Sequence, residues 1–319
     1  MRTGTKAFME SLIDYAGLYP PAALPMEAAM RNYCRYQRDR DGWMLGGFVV
    51  PVARLGELLP FKPLFAADRP LRLTVIAARS RSAEDCLPQL RENLARIAVF
   101  RRRYAEAAAV AALELPLPPP PFPPGLFRAL EETAAGAGLR LFCEPAQPLD
   151  ACWEAAMLEA LDAMAAAGGS ARGGPGLGAK LRTGGVTAAA IPSPGQVALV
   201  LEACRDRSLP LKCTAGLHHP VRMHREEVNA RMHGYLNVFF AGTLAYARRL
   251  GRPDIEAILE DEDPASFGFA DVGLRWRDRI ASASDIRACR GRGLVAFGSC
   301  SFDEPVGELR ALGLLEQRS

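Results

Sequence analysis

The fold of this chain is decided by AKLRTGG at 179–185 and PLKCTAGLHHPVR at 210–222. Each stretch opens with a short apolar run that carries a lysine, and a helix-like segment separates the two. This strand–helix–strand pattern predicts neighbouring parallel strands, with Lys180 and Lys212 near their ends. Only four of the 39 basic residues are lysines. We therefore expect these two positions to need an amine that can lose its proton, which an arginine cannot provide.

Eight strand-like apolar runs occur along the chain, and most of them are followed by an amphipathic segment of helical period. The runs lie at 11–22, 48–52, 71–78, 108–118, 139–145, 178–182, 209–215 and 293–299. This alternation predicts an α/β fold, a (β/α)8 TIM barrel that spans residues 1–319 as one domain. An open doubly wound sheet usually shows fewer strands and an early glycine-rich fingerprint, and the sequence contains no GxGxxG or Walker motif.

Several stretches between these runs carry expectations of their own. The proline-rich stretch 116–124, PLPPPPFPP, predicts a stiff loop, because proline cannot continue a helix or a central strand. The composition of 168–178, GGSARGGPGLG, predicts either a mobile loop or an insertion. One helical segment is predicted over 80–106. An extended segment separates the seventh and eighth strands, and the apolar residues of its helix, from Met232 onward, fall on a single face.

Composition restricts the partners of the protein. The 319 residues are 49% apolar and 24% charged. The net charge of +3 is small, and the basic run RRRY at 101–104 is typical of the exposed end of a helix, so nucleic acid is not the expected partner. No apolar run reaches the ~20 residues of a membrane span, and the N-terminus lacks a signal-peptide pattern, so we expect a cytoplasmic protein. The eight cysteines form no CxxC pair, so we expect reduced thiols. The expected ligand is a small-molecule substrate, with no cofactor, and a homo-oligomer is left open.

Isolated charged residues stand in apolar runs that the barrel would bring together. Asp14, Glu114, Glu144, Lys180 and Lys212 all lie near the carboxyl ends of predicted strands, where barrel enzymes place their chemistry. Because neighbouring strands are ~4.8 Å apart, the two lysines should repel each other, and one of them should lose its proton easily. A neutral amine can attack a carbonyl carbon to form a Schiff base, and Glu114 could move the protons that this reaction requires.

The ordered set of motifs resembles deoxyribose-phosphate aldolase and its class I aldolase relatives. The motifs are LIDYAGL, FVVPVARLGEL, ALELPLP, AKLRTGG, IPSPGQVALVLEA, PLKCTAG and AFGSCS. The resemblance implies that Lys180 forms the Schiff base, that Lys212 lowers the pKa of Lys180, and that Glu114 is the acidic proton relay. It also implies that the loops of Gly216, Gly298 and Ser299 hold a substrate phosphate.

The sequence departs from that family at the substrate end of the site. An aspartate is expected where Glu114 stands, and Arg182 replaces a small polar residue with a cation suited to a carboxylate or phosphate. The paired glycines after the seventh strand become Ala215 and Gly216. The predicted substrate contacts are Asp14, Glu144, Arg182, Gly216, His218, His219, Gly298 and Ser299. The resemblance therefore supports a carbon–carbon lyase or synthase acting on a small, anionic aldehyde or ketone.

All four histidines lie within sixteen residues, between positions 218 and 233. His218 and His219 could polarise a carbonyl or bind an anion, and together with His224 they could hold a divalent metal. A metal-dependent barrel lyase or hydrolase is therefore one alternative. A non-catalytic barrel that binds a metabolite is the other.

Overall fold

The computed structural model describes residues 2–167 and 176–317, and its central feature is a closed barrel of eight parallel strands. The barrel strands are β1 (Ile13–Tyr15), β2 (Leu45–Pro51), β3 (Leu71–Ile76), β4 (Ala108–Leu117), β5 (Arg140–Pro145), β6 (Leu177–Arg182), β7 (Leu211–Thr214) and β13 (Leu294–Ser299). The strands follow one another around the barrel in sequence order, and β13 closes it against β1. The prediction of a (β/α)8 barrel is thus confirmed.

Ten α-helices lie in the described part of the chain. They are α1 (Thr3–Met9), α2 (Met26–Arg38), α3 (Cys86–Tyr104), α4 (Leu126–Gly136), α5 (Trp153–Ala166), α6 (Pro194–Asp206), α7 (Tyr235–Arg248), α8 (Arg252–Glu260), α9 (Ala283–Arg292) and α10 (Asp303–Ala311). Helix α6 begins as its sequence indicates, because Ser193 and Gln196 form a reciprocal capping box. A 3₁₀ segment, Val52–Leu64, follows β2.

Two local predictions differ from the structure, and a third falls mostly on residues that the structure does not describe. Helix α3 begins at Cys86 rather than at residue 80, and Pro88 occupies its first turn, where no helical N–H bond is lost. Strand β4 continues through Pro116 to Leu117, because a proline at a strand end forfeits only its own N–H. The proline loop therefore begins at residue 118 rather than at the predicted residue 116. Of the glycine-rich stretch 168–178, residues 168–175 lie outside the described residues.

The segment between β7 and β13 is a layer of its own around α7. It contains the hairpin β8 (Met223–Arg225) and β9 (Ala230–Met232), then α7 and α8, the antiparallel sheet β10 (Phe267–Ala270), β11 (Gly273–Trp276) and β12 (Arg279–Ser282), and α9. Every residue from Tyr235 to Ala245 is buried, so the single-face prediction for this helix is wrong. The reason is that α8, α9 and the small sheet cover the sides of α7 that the barrel leaves open.

Aromatic packing joins this layer to the barrel wall. Tyr235 of α7 stacks on Phe297 of β13 with ring centroids 5.1 Å apart. On the other side, Phe8 of α1 packs edge-on against Phe240, at 5.2 Å. All eight cysteines are free thiols, as expected. Nowhere in residues 2–167 and 176–317 is there a helix long and apolar enough to cross a membrane.

Candidate active site

The two buried lysines share one carboxylate inside the barrel. Lys180 and Lys212 are register partners on β6 and β7. Glu114, on β4, lies with one carboxylate oxygen 2.6 Å from the Lys180 Nζ and the other 2.6 Å from the Lys212 Nζ. Glu144, at the end of β5, adds a second partner 2.8 Å from the Lys180 Nζ. The residues that the sequence predicted as a reaction centre therefore meet in one cluster.

Asp14 anchors the other end of the cluster, at Lys212. Its carboxylate lies 2.5 Å from the Lys212 Nζ. The Asp14 side chain also accepts hydrogen bonds from the Gly47 backbone N–H at 2.6 Å and from the Thr74 hydroxyl at 2.9 Å. Lys212 in turn donates to the same Thr74 oxygen at 3.3 Å. Lys212 is thereby fixed between β1, β3 and β4.

The charges of the cluster change the expected protonation of the lysines. Burial alone would lower the pKa of Lys180, but the adjacent Glu114 and Glu144 carboxylates outweigh burial and raise it. The pKa of Lys212 is raised in the same way, against burial, by Asp14 and Glu114. Burial would raise the pKa of Glu114, yet the two ammonium groups bring it down to about 2. The expected lowering of the Lys180 pKa by Lys212 is therefore wrong, because the Glu114 carboxylate bridges the two amines.

A cavity of about 290 Å³ opens onto this cluster at the carboxyl end of the barrel. Its polar wall includes Lys180, Arg182, Thr214 and His218, and its apolar wall includes Val49 and Ile76. Lys180 is the one lysine among the described residues that line the cavity. Lys212 contacts Glu114 and does not line it. An amine is thus presented to a small molecule at the bottom of a partly apolar cavity.

The predicted substrate contacts divide into two groups. Arg182, Gly216, His218 and Gly298 line the cavity. The other four do not line it: Asp14 and Glu144 contact lysines, His219 contacts Glu308, and Ser299 is buried with its hydroxyl 3.4 Å from the His218 Nδ1. Burial, with smaller contributions from His219 and Arg225, lowers the pKa of His218 to about 4. A neutral His218 cannot attract an anion by charge, so that part of the expectation is not supported.

The histidine metal site of the alternative hypothesis is not assembled in the described residues. Within the described residues, His218, His219 and His224 do not form a group whose ligand atoms lie within 4.8 Å of one another. His219 instead contacts Glu308, with its Nδ1 2.8 Å from the nearer oxygen, and Glu304 is the third member of that group. Both glutamates are about two-fifths exposed, and the His219–Glu308 contact alone satisfies the imidazole nitrogen. His224 lies exposed on the β8–β9 hairpin.

Thr74 is the member of the cluster that sequence reasoning missed. It is the single polar residue in the apolar part of β3, Leu73–Ile76, and it is buried. A lone threonine in such a run is a weak signal, because β-branched residues are common in strands. Its inward direction follows only from the register with β2, where Val49 is its partner.

Gly46 provides the space that Asp14 occupies. A methyl group at Gly46 would overlap the Asp14 Oδ1 and crowd the Ile13 carbonyl oxygen at 3.2 Å. We expect Gly46→Ala to lower the free energy of unfolding by about 1–3 kcal/mol, as overpacking does in well-packed interiors. Urea denaturation measures the effect, and Gly56→Ala is the control, because nothing lies within 4 Å of its added carbon. Equal stabilities of the two variants would contradict this explanation.

Comparisons with known proteins give structural likenesses but no match in sequence. No family model and no curated protein matches the sequence. A solved structure described as the unique tetrameric structure of deoxyribose phosphate aldolase from Aeropyrum pernix is similar, with a TM-score of 0.47 and 13% sequence identity. The likeness covers 96% of this chain and 93% of that chain. At this identity it concerns the course of the barrel alone, and the chemistry of the site has to be argued from its own side chains.

Proposed function

We propose that the protein is a class I aldolase-type enzyme that forms a Schiff base between Lys180 and a small aldehyde or ketone. The observation that carries this proposal is the position of Lys180. It is the described lysine that both lines the cavity and contacts two buried carboxylates, at 2.6 and 2.8 Å. A carbonyl compound entering the cavity would meet a nucleophile that has proton acceptors beside it.

The resting ammonium of Lys180 has to lose a proton before it can attack. Glu114 is a poor acceptor for this proton, because Lys212 also holds that carboxylate and its pKa is about 2. Glu144 contacts only one of the two buried lysines, and its other close cation is Arg182, 3.8 Å away and half exposed. We therefore assign the first proton transfer to Glu144. This assignment gives Glu144 a catalytic task in place of the predicted substrate contact.

The bond-forming steps then balance as follows. The neutral amine attacks the carbonyl carbon, the oxygen takes up a proton, and loss of water from the carbinolamine leaves an iminium ion. In the cleavage direction, the electron pair of the adjacent carbon–carbon bond moves into the iminium, while a base removes the proton from the hydroxyl of the departing aldehyde. Glu114 and Glu144 are the carboxylates within reach of the Lys180 nitrogen for these proton transfers. Lys212 helps to keep Glu114 ionised, and Asp14 holds Lys212 in place.

Borohydride reduction tests the proposal directly. Incubation with a panel of small aldehydes and ketones, followed by borohydride, should leave a stable mass adduct that peptide mapping locates on Lys180. Lys180→Met should abolish the adduct, because a thioether cannot form an imine. Lys62→Met should retain it, because Lys62 lies on the surface and donates to the Arg103 carbonyl.

Two outcomes would overturn the proposal. One is an adduct that persists in Lys180→Met, and the other is saturable binding of a carbonyl compound in the cavity with no trapped adduct for any member of the panel. The second outcome would favour the non-catalytic barrel.

A further inference from the structure

A second cavity of about 420 Å³ adjoins the first across Arg182. Arg182 is the residue that lines both cavities, so its guanidinium lies at the border of each. The second cavity is bounded by the chain after β5 and by the outer side of β6. Three buried apolar side chains, Leu181, Trp153 and Met157, contribute to its wall.

Gln147 contributes an amide that has no partner in this cavity. Its side-chain oxygen and nitrogen are both buried, and neither has a hydrogen-bond partner among residues 2–167 and 176–317. Buried amides in folded proteins are almost always paired. An amide carries both donors and an acceptor, so it suits an oxygen-rich group such as a carboxylate, phosphate or hydroxyl.

Two arginines supply positive charge to the same cavity. Arg79 is exposed, and its guanidinium donates one weak hydrogen bond, at 3.4 Å, to the Ala146 carbonyl oxygen. Arg182 is 54% exposed and lies 3.8 Å from Glu144, beyond hydrogen-bonding distance. Guanidinium groups bind carboxylates and phosphates with two parallel hydrogen bonds, and both side chains retain donors for that purpose.

The other end of the site is unsuited to an anion. Asp303 and Glu304 occupy the first turn of α10, next to β13, and Glu304 approaches the His218 Nδ1 to 3.9 Å. Asp303 is paired with Arg35 at 2.8 Å, so Glu304 is the carboxylate that would repel a phosphate held by the loops of Gly216 and Gly298. The charge distribution therefore favours the side of Arg79 and Arg182 over the phosphate position that the family resemblance implies.

We propose that the second cavity binds the anionic end of the substrate, with a carboxylate or phosphate between Arg79 and Arg182 and an oxygen of the ligand on Gln147. The substrate class is then an aldehyde or ketone whose carbonyl is separated from the anion by a short carbon chain. The chain packs on the apolar wall of Trp153, Met157 and Leu181. This inference rests on the proposed function for the carbonyl, but the anion site itself requires no Schiff base.

Calorimetric binding of unreactive anions tests the site. Glutarate and n-butyl phosphate are the probes, and 1-pentanol is the neutral reference. We expect at least one anion to bind at millimolar concentration or tighter and 1-pentanol to bind more weakly. Arg79→Gln and Gln147→Leu should each weaken anion binding about tenfold, whereas Arg96→Gln, on the exposed face of α3, should stay within about twofold. The tighter of the two anions identifies the carboxylate or the phosphate as the natural group.

The outcomes separate this inference from the proposed chemistry. No binding of either anion, or equal affinities in Arg79→Gln and Arg96→Gln, would overturn the anion site even if Lys180 is trapped by borohydride. Anion binding that depends on Arg79 would support the site even if no adduct forms. Arg79→Lys, which keeps the charge, should bind more tightly than Arg79→Gln, so a general loss of folding cannot imitate the expected result.

Discussion

Replacing Lys212 with methionine should lower the free energy of unfolding by about 3–5 kcal/mol at pH 7. The ammonium group of Lys212 contacts Asp14 at 2.5 Å and Glu114 at 2.6 Å, and all three side chains are buried. Without it, three buried carboxylates would remain with the single ammonium of Lys180, which contacts Glu114 and Glu144 but not Asp14. Buried charge that loses its partner is strongly destabilising, because solvation lost on folding is no longer compensated. Urea denaturation followed by circular dichroism measures the loss.

A second substitution tests whether unpaired charge causes the destabilisation of Lys212→Met. Asp14→Asn in the Lys212→Met background should recover part of the stability, because the amide keeps the shape of Asp14 without its charge. The destabilisation should also shrink as the pH falls, since the unpaired carboxylates can then take up protons. Lys62→Met, on the surface, should change stability by no more than about 0.5 kcal/mol. A double variant no more stable than Lys212→Met, together with a pH-independent loss, would show that packing rather than charge is responsible.

The wild-type protein should lose about 3 kcal/mol of stability from Glu114 alone as the pH falls from 4.5 towards 2. The pKa of Glu114 is about 2 in the fold against an ordinary value of 4.5, because two lysines outweigh its burial. Between these values the unfolded chain binds more protons than the folded one, so acid favours unfolding. At alkaline pH the two buried lysines change the stability. Because their pKa values are raised in the fold, the free energy of unfolding falls as the pH rises above 10.5.

The Glu114→Gln variant tests whether Glu114 causes the loss of stability at acidic pH. This variant keeps the size of the side chain but cannot titrate, so its stability should fall less steeply than that of the wild type between pH 5 and pH 3. Glu57→Gln is the surface control, because the ion pair of Glu57 with Arg54 is exposed to solvent and contributes little to stability. If the Glu114→Gln and wild-type curves run parallel across this range, Glu114 does not carry the acid sensitivity.

The barrel and the pairing of the lysines were predictable from local pattern. The apolar runs around Lys180 and Lys212 have strand length, and right-handed connection through a helix makes successive parallel strands neighbours. The exact register that aligns Lys180 with Lys212 is an observation of the structure. The layer around α7 was not predictable in this way, because its helix is covered by the sheet β10–β12, which follows later in the chain.

The electrostatics of the site required three-dimensional distances. From sequence, two neighbouring lysines imply repulsion and a lowered pKa. Glu114 reverses that result because both of its oxygens lie 2.6 Å from a lysine nitrogen. Whether a glutamate on one strand reaches a lysine two strands away depends on side-chain length and strand stagger, neither of which a sequence pattern contains. The same holds for Gln147, whose isolation is visible only once its neighbours are placed.

The enclosure of α7 has a consequence for any attempt to shorten this protein. Deleting residues 250–282 would uncover a helix in which every position from Tyr235 to Ala245 is buried, including Phe240. The shortened protein would then expose apolar side chains of α7 to water, and exposed apolar patches of this kind promote aggregation. The turn between β8 and β9 is a better place for engineering, because most of residues 222–231 already touch water. The segment between β7 and β13 therefore helps to shield the barrel wall from water.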